Sequence, residues 1–316
     1  MLKYILRRIL ILIPTLIGMS LLIFVMLRLL PGDIVDALVG LDPTITAEAK
    51  EALRASFGLT DPWPVQYVRW IGELLRGDLG TSFRSREPIT DQLLRALPIT
   101  LELATLAILM SIPVAIPLGI LSAVRQNSQV DLFARVLGLI GLSVPSFWLA
   151  TLFLLFTSLV FRWVPPVVWI NPLENPLGNL QQMFLPALAL AVQLMAVEMR
   201  MMRASMLEVL RQDYIRTVRA KGVGERTLLY RHALKNAFIP VITIIGIQMG
   251  VLMGGSIIIE QIFGLPGVGW YLLQGIFNRD YPIVQVTTLF LAVIFVFVNL
   301  LVDMAYAFLD PRIRYA

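Results

Sequence analysis

Few side chains in this sequence are equipped for covalent chemistry. Its 316 residues include no cysteine and one histidine, His232. That excludes disulfides, iron–sulfur clusters, zinc–thiolate centres and any multi-histidine metal site. It also leaves nucleophilic catalysis through Cys or a Ser/His pair almost nothing to use. Charge is concentrated instead. Nine Lys/Arg fall between Arg200 and Lys235, opposed only by Glu208, Asp213 and Glu225. Four acids, Glu102, Glu198, Glu260 and Asp303, stand in or at the ends of apolar stretches, where an ionisable group points to a transport path or to an ion pair. Arg200 and Arg203 are ready partners for Glu198, whereas Glu260 follows Gly254-Gly255-Ser256 and precedes a Gly/Pro-rich stretch. Gly246, Gly250 and Gly254 recur every fourth residue. Small residues at that spacing form a groove for another helix, either inside this subunit or where a path or sister subunit is met. A lone His in an Arg-rich helix fits a structural hydrogen bond, and Met249 and Met253 fit packing, so no metal site is assigned.

Composition sets what must position these groups. Apolar residues make up 58% and charged residues 15%, where a soluble domain carries roughly a quarter charged; mean hydropathy is +0.79. The solvent for such a chain is a bilayer. Six stretches approach the roughly 20 residues needed to span one: Ile9–Leu30, Pro98–Ala123, Leu132–Phe161, Phe184–Met199, Phe238–Ile259 and Ile283–Leu309. The fourth is the shortest. The first is too long for a signal-peptide core and no small-residue cleavage site follows, so it reads as a retained span. Pro14, Pro113, Pro117, Pro145 and Pro186 lie inside spans, where kinks are tolerated.

The basic loop, Lys3, Arg7, Arg8, Arg125, Arg312 and Arg314 share one side, so both termini and the segment 200–237 are expected in the cytoplasm. Residues 31–97 are then extracytoplasmic, with 98–316 forming the core domain. Within the external segment Thr46 can cap a helix ending at Gly58, and Pro64 can begin a second helix with Val65, Val68, Ile71 and Leu75 on one apolar face. That segment is either a cap over the helix ends or a docking surface. In the basic loop, Asp213 is a candidate N-cap for Tyr214–Lys221, Gly222 fits the C′ position and Gly222-Val223-Gly224 makes a turn. A further helix is expected from Glu225 to about Ala237. By charge alone the loop could equally rest on anionic headgroups. No Gly-x-x-x-x-Gly-Lys-Ser/Thr phosphate loop occurs.

Tyr214-Ile215-Arg216-Thr217-Val218-Arg219-Ala220-Lys221-Gly222, followed by Arg231-His232-Ala233-Leu234-Lys235-Asn236-Ala237-Phe238-Ile239-Pro240, resembles the EAA loop of binding-protein-dependent ABC importer permeases, specifically the first permease of the dipeptide/oligopeptide/nickel branch. Leu30-Pro31-Gly32-Asp33, Gly77-Asp78-Leu79-Gly80-Thr81-Ser82, Thr100-Leu101-Glu102-Leu103-Ala104 and Pro145-Ser146-Phe147-Trp148 carry the same resemblance. So do Gly254-Gly255-Ser256, Pro266-Gly267-Val268-Gly269, Arg279-Asp280-Tyr281-Pro282 and Asp310-Pro311-Arg312-Ile313-Arg314. The wider superfamily's Glu-Ala-Ala is replaced by Arg216-Thr217-Val218, and of its Ile-x-Leu-Pro only Leu234 remains.

The resemblance implies an all-α type I importer permease with six transmembrane helices, in a bacterial or archaeal inner membrane. It pairs this chain with a second permease, two ABC ATPases that bind the ATP and Mg, and an extracytoplasmic substrate-binding protein that residues 31–97 would contact. It implies no enzyme activity, no cofactor in this chain and no nucleic acid. Tyr214, Arg216, Arg219, Ala220, Lys221, Gly222 and Glu225 would dock the ATPase. Gly246, Gly250, Gly254, Gly255, Ser256 and Glu260 would line the path or meet the sister permease. The implied cargo is di- or oligopeptide, with nickel chelates, glutathione or oligosaccharides as alternatives. A stand-alone secondary transporter would need inverted repeats and midplane coupling charges, which the sequence does not display.

Overall fold

The computed structural model describes residues 2–29, 32–39 and 46–309. Leu30, Pro31 and the Asp310–Arg314 motif lie outside the described residues, as do the side chains of Lys3, Arg7, Arg8 and Asp303. The elements are α1 (Leu2–Leu29), α2 (Ile34–Val39), α3 (Ala47–Ser56), α4 (Trp63–Leu75), α5 (Ile89–Val124), α6 (Gln129–Ser143), α7 (Ser146–Phe161), α8 (Pro176–Leu210), α9 (Asp213–Ala220), α10 (Glu225–Thr227), a π-helical stretch (Leu228–Ala233), α11 (Leu234–Gly255), α12 (Ile257–Phe263), α13 (Val268–Phe277) and α14 (Tyr281–Leu309). The described residues contain no strand, only an isolated bridge between Thr81 and Pro88.

Five helices are long and apolar enough to cross a membrane, and six spans result if the bent pair α6–α7 counts as one. The expected single span Leu132–Phe161 is in fact two helices meeting at 96°. Pro145 lacks an N–H and forces Val144 out of the helical region, to φ −94 and ψ 120, so α6 ends and α7 starts afresh. Pro14, Pro186 and Pro240 sit inside continuous helices. The stretch expected to be the shortest span, Phe184–Met199, belongs to the 35-residue α8. It has the lowest hydropathy of the five and the largest buried share, 56%. A helix walled by protein needs less lipid-compatible surface, which is why hydropathy under-reads it.

The chain forms two compact units, Met1–Ile99 with Pro266–Ile294, and Thr100–Leu265 with Phe295–Ala316. In the first, Thr46 caps α3 by accepting from Ala49 N at 3.2 Å, and Arg54 of α3 bonds Asp33 at 2.7 Å and Asp36 at 2.9 Å. The apolar face of α4 is turned outward: Val68 is 68% and Leu75 85% exposed. The inward residue is Gln66, which accepts from Arg28 Nε and Nη2 and donates to the carbonyls of Leu59 and Asp61. Beside it Tyr67 and Trp70 meet the ring of Phe24. The half-buried guanidinium of Arg28 needs acceptors, and Gln66 supplies one, so α4 turns its polar side inward. Two motifs far apart in sequence also meet here. Ser82 Oγ donates to Asp280 at 2.6 Å, and the amides of Phe83 and Arg84 donate to the same carboxylate. Tyr281 Oη then donates to the carbonyl of Gly32 at 2.9 Å.

In the second unit α8 packs against α6, α7 and α11. Helices approach closely at small residues: a Cβ on Gly119 of α5 would lie 2.8 Å from the Met199 carbonyl oxygen, and one on Gly141 of α6 2.9 Å from Ala196 Cβ. Polar side chains fasten the rest. Asp131, wholly buried, accepts from Arg203 Nε at 2.7 Å and Nη2 at 2.9 Å, from Ser122 Oγ at 2.6 Å and from Asn127 N at 2.9 Å. Glu198 pairs with Ser111 Oγ at 2.8 Å and not with Arg200 or Arg203, because Arg203 is committed to Asp131.

Removing Arg203 leaves the buried Asp131 with only the longer 3.7 Å contact of Arg135 as a balancing charge. Arg203→Ala should therefore destabilise the fold by about 3–5 kcal/mol, read from thermal unfolding in detergent, with Arg203→Lys restoring only part of the loss; unchanged unfolding would refute the role. In the first unit, burial opposes ionisation of Asp33, but the bond and charge of Arg54 outweigh it and hold its pKa below the usual value. Its contribution is therefore complete above about pH 4 and lost as pH falls through the lowered value. Amide protection in α3, corrected for intrinsic exchange, should drop as pH falls through the lowered Asp33 value, and Arg54→Ala should abolish that pH difference.

Candidate functional site

The basic loop is held as a rigid shelf. Gln212, in extended conformation, takes the N-cap position of α9 without a side-chain bond. Asp213, expected to cap, is instead the first helical residue and pairs with Arg216 at 3.3 Å. Ile215 is fully buried in a cluster with Met202, Met206, Val209, Leu228 and Ala233. Tyr214 Oη donates to the His232 carbonyl at 3.2 Å and accepts from Asn236 Nδ2 at 2.7 Å. One apolar and one polar anchor thus tie α9 to the helix beyond the turn. His232 serves there through its backbone oxygen.

Lys221 closes α9, and Gly222 follows at φ +78 with its N–H on the Arg219 carbonyl at 3.0 Å. No heavy atom would crowd a Cβ at Gly222, so the demand there is for left-handed backbone. Across the turn Arg219 Nε and Nη2 meet Glu225 at 2.8 and 3.3 Å. Arg219 and Glu225 therefore bind each other, while Ala220 and Lys221 are open to solvent together with Arg226 and Arg231. The helix expected from Glu225 to Ala237 does not stop there. α10, the π-helical stretch and α11 run on as one rod to Gly255. The π stretch, a register shift in the hydrogen-bond ladder often found at functional positions, lies where the loop feeds the span.

The glycine-striped helix divides by environment. Gly250 is buried and a Cβ there would press on the Phe295 ring at 2.9 Å, whereas Gly254 is exposed with nothing within 4 Å. Gly246 is half-buried and Gly255 ends α11. Ser256 and Glu260 are fully buried. Glu260 accepts from Thr100 Oγ1 at 2.8 Å and Ser256 Oγ at 2.9 Å. A carboxylate placed among apolar helices is stabilised by such hydroxyl donors. Glu102 is half-buried near Asn179.

Sequence reasoning missed Asp131, Gln66 and Asp280. Asp131 follows the α6 cap Ser128, which accepts from its amide at 3.3 Å, and so reads locally as a first-turn acid. Nothing near it in sequence points to Arg203. Among the described residues no three His, Cys, Asp or Glu gather as a metal site.

Comparison with known proteins gives this arrangement its context. The chain is 40% identical to the dipeptide transport system permease protein DppB of Alkalihalophilus pseudofirmus, with all of both chains covered. It is also 40% identical to the oligopeptide transport system permease protein AppB of Bacillus subtilis, again over both entire chains. In structure it is similar to the MetNI methionine ABC transporter in inward-facing conformations, with a TM-score of 0.57 at 16% identity, covering 71% of this chain and 99% of that one. This is the fold of ABC importer permeases. Residues 1–104 match the N-terminal model of a binding-protein-dependent transport membrane component. Residues 115–315 match the inner membrane component itself, and the chain therefore belongs to the family of binding-protein-dependent transport system inner membrane components.

Proposed function

We propose that this chain is the membrane-spanning subunit of an ATP-driven importer of short peptides, and that α9 is the element through which an ATPase drives it. The observation that carries this is the double anchoring of α9. Ile215 in the core and Tyr214 on the His232 carbonyl and Asn236 make any push on α9 a push on the rod Glu225–Gly255. A loop serving only as a headgroup contact has no use for such anchoring. The exposed Arg216, Lys221, Arg226 and Arg231 suit a docking surface that offers carboxylates. Arg219 and Glu225 act as the brace of the turn.

On this reading the basic loop and both termini face the cytoplasm, and the α2–α4 segment faces outward toward a substrate-binding protein. A second permease completes the path, with Gly254 the exposed member of the stripe. Two partner ATPases hold ATP and Mg, and this chain itself catalyses no reaction. Their closure swings the spans from inward- to outward-facing through a hinge or shear movement. The peptide cargo follows from the dipeptide and oligopeptide permeases that match the chain over its full length.

Gly222→Val forces a β-branched residue into left-handed backbone at a penalty of about 1–2 kcal/mol. It should lower peptide uptake by about tenfold or more in reconstituted complex, with Gly222→Asn retaining most activity; full uptake in the valine variant would sink the docking role. Arg219→Glu should impair coupling of ATP hydrolysis to uptake, and adding Glu225→Arg should restore it if the pair braces the turn. No restoration would assign Arg219 to the ATPase contact instead.

A further inference from the structure

The first compact unit contains a cleft of about 430 Å³, a size typical of small-ligand sites. It is lined by Arg28 of α1, Trp70 and Glu73 of α4, Asp78 of the following loop, and Tyr281 and Gln285 of α14. On the charge rule used above, it lies toward the external side.

Donors outnumber acceptors on one part of this lining. Gln285 is 4% exposed, and neither its Nε2 nor the indole Nε1 of Trp70 has a hydrogen-bond partner among the described residues. Among the described residues Arg28 bonds to neutral groups: Gln66 Oε1 at 2.7 Å, the Phe24 carbonyl at 3.4 Å and the Phe24 ring at 3.4 Å from its centre. Neighbouring carboxylates are committed elsewhere, Asp33 and Asp36 to Arg54 and Asp61 to Arg69. Among the described residues no carboxylate pairs with Arg28. A partly buried guanidinium and two side chains carrying buried, unpartnered N–H groups line one cleft, and together they suit an anionic, multiply accepting ligand such as a carboxylate. Elsewhere on the lining the chemistry reverses. Glu73 and Asp78 carry carboxylates bonded to no cation among the described residues, with Asp78 Oδ1 only capping the Gly80 amide at 2.8 Å.

We propose that this cleft binds a free zwitterion of the short-peptide class, its carboxylate received by Arg28, Trp70 Nε1 and Gln285 Nε2 and its ammonium by Glu73 or Asp78. The cleft would thus hold cargo on the outer part of the permease, apart from the glycine-striped helix. The choice of peptide as the zwitterion rests on the function proposed above.

The test is calorimetric titration of the full-length chain, reconstituted in phosphatidylcholine nanodiscs, with tri-alanine, its C-terminal amide and its N-acetyl derivative. Saturable binding of tri-alanine is expected, weakened about tenfold by amidation and by Arg28→Gln and less by acetylation. Trp70→Phe removes the indole N–H while keeping a ring against Phe24, and should weaken binding without moving the thermal unfolding midpoint. Equal binding of acid and amide, no saturation by about 10 mM, or binding of glycerophosphoglycerol in place of the peptide would overturn the site. Peptide uptake by the complete complex is measured alongside. Uptake with no binding to the cleft refutes the cleft alone, whereas absent uptake refutes the peptide importer whatever the titration shows.

Discussion

Asp131 has no contact with water, and the guanidinium of Arg203 is what makes that placement tolerable. Inside a packed protein the alternatives to such a pair are few. An unpaired buried carboxylate is strongly disfavoured. Ser122 of α5, Asp131 of α6 and Arg203 of α8 therefore have to meet, and their meeting fixes three helices against one another near the end of α8. The cluster of Met202, Met206 and Ile215 begins directly beside Arg203 on the same helix. The position of the basic loop thus follows from a carboxylate that is not part of it.

The same constraint explains the first unit. Gln66 turns inward because Arg28 requires an acceptor, and the apolar face of α4 is left outside as a consequence. Asp280 gathers a hydroxyl and two amides from Ser82–Arg84, and its neighbour Tyr281 reaches the carbonyl of Gly32. Three separate motifs are thereby drawn together by hydrogen bonds, beside buried apolar side chains such as Val35, Ile89, Ile283 and Val284. Polar satisfaction acts there alongside hydrophobic burial.

The basic loop combines stiffness and give. Its helix is pinned by Ile215 and Tyr214, and its turn is braced by Arg219 and Glu225. Yet the turn depends on one residue able to take positive φ, and the π-helical stretch beyond it interrupts the regular ladder of the rod. The lever proposed for α9 needs rigid arms and a defined place to yield, and these features suit both. The stripe on α11 is likewise specialised, since Gly250 admits the Phe295 ring while Gly254 stays open.

By itself the sequence determined the solvent, the number of apolar stretches, the glycine turn at Gly222 and the cap at Thr46. These depend on composition, on period, or on backbone preferences read within a few residues, and such signals are local. Its recurring motifs also carried the family resemblance. The tertiary structure alone decided which polar groups answer one another: Glu198 with Ser111 rather than Arg200, Glu260 with Thr100 and Ser256, Asp131 with Arg203, Gln66 with Arg28. It also decided that Pro145 makes two helices at a right angle and that α4 shows its valines outward. Each outcome turns on a partner from a distant part of the chain or on the walls around a helix. Because a buried charge takes whichever donor the packing brings to it, sequence proximity could not reveal the choice.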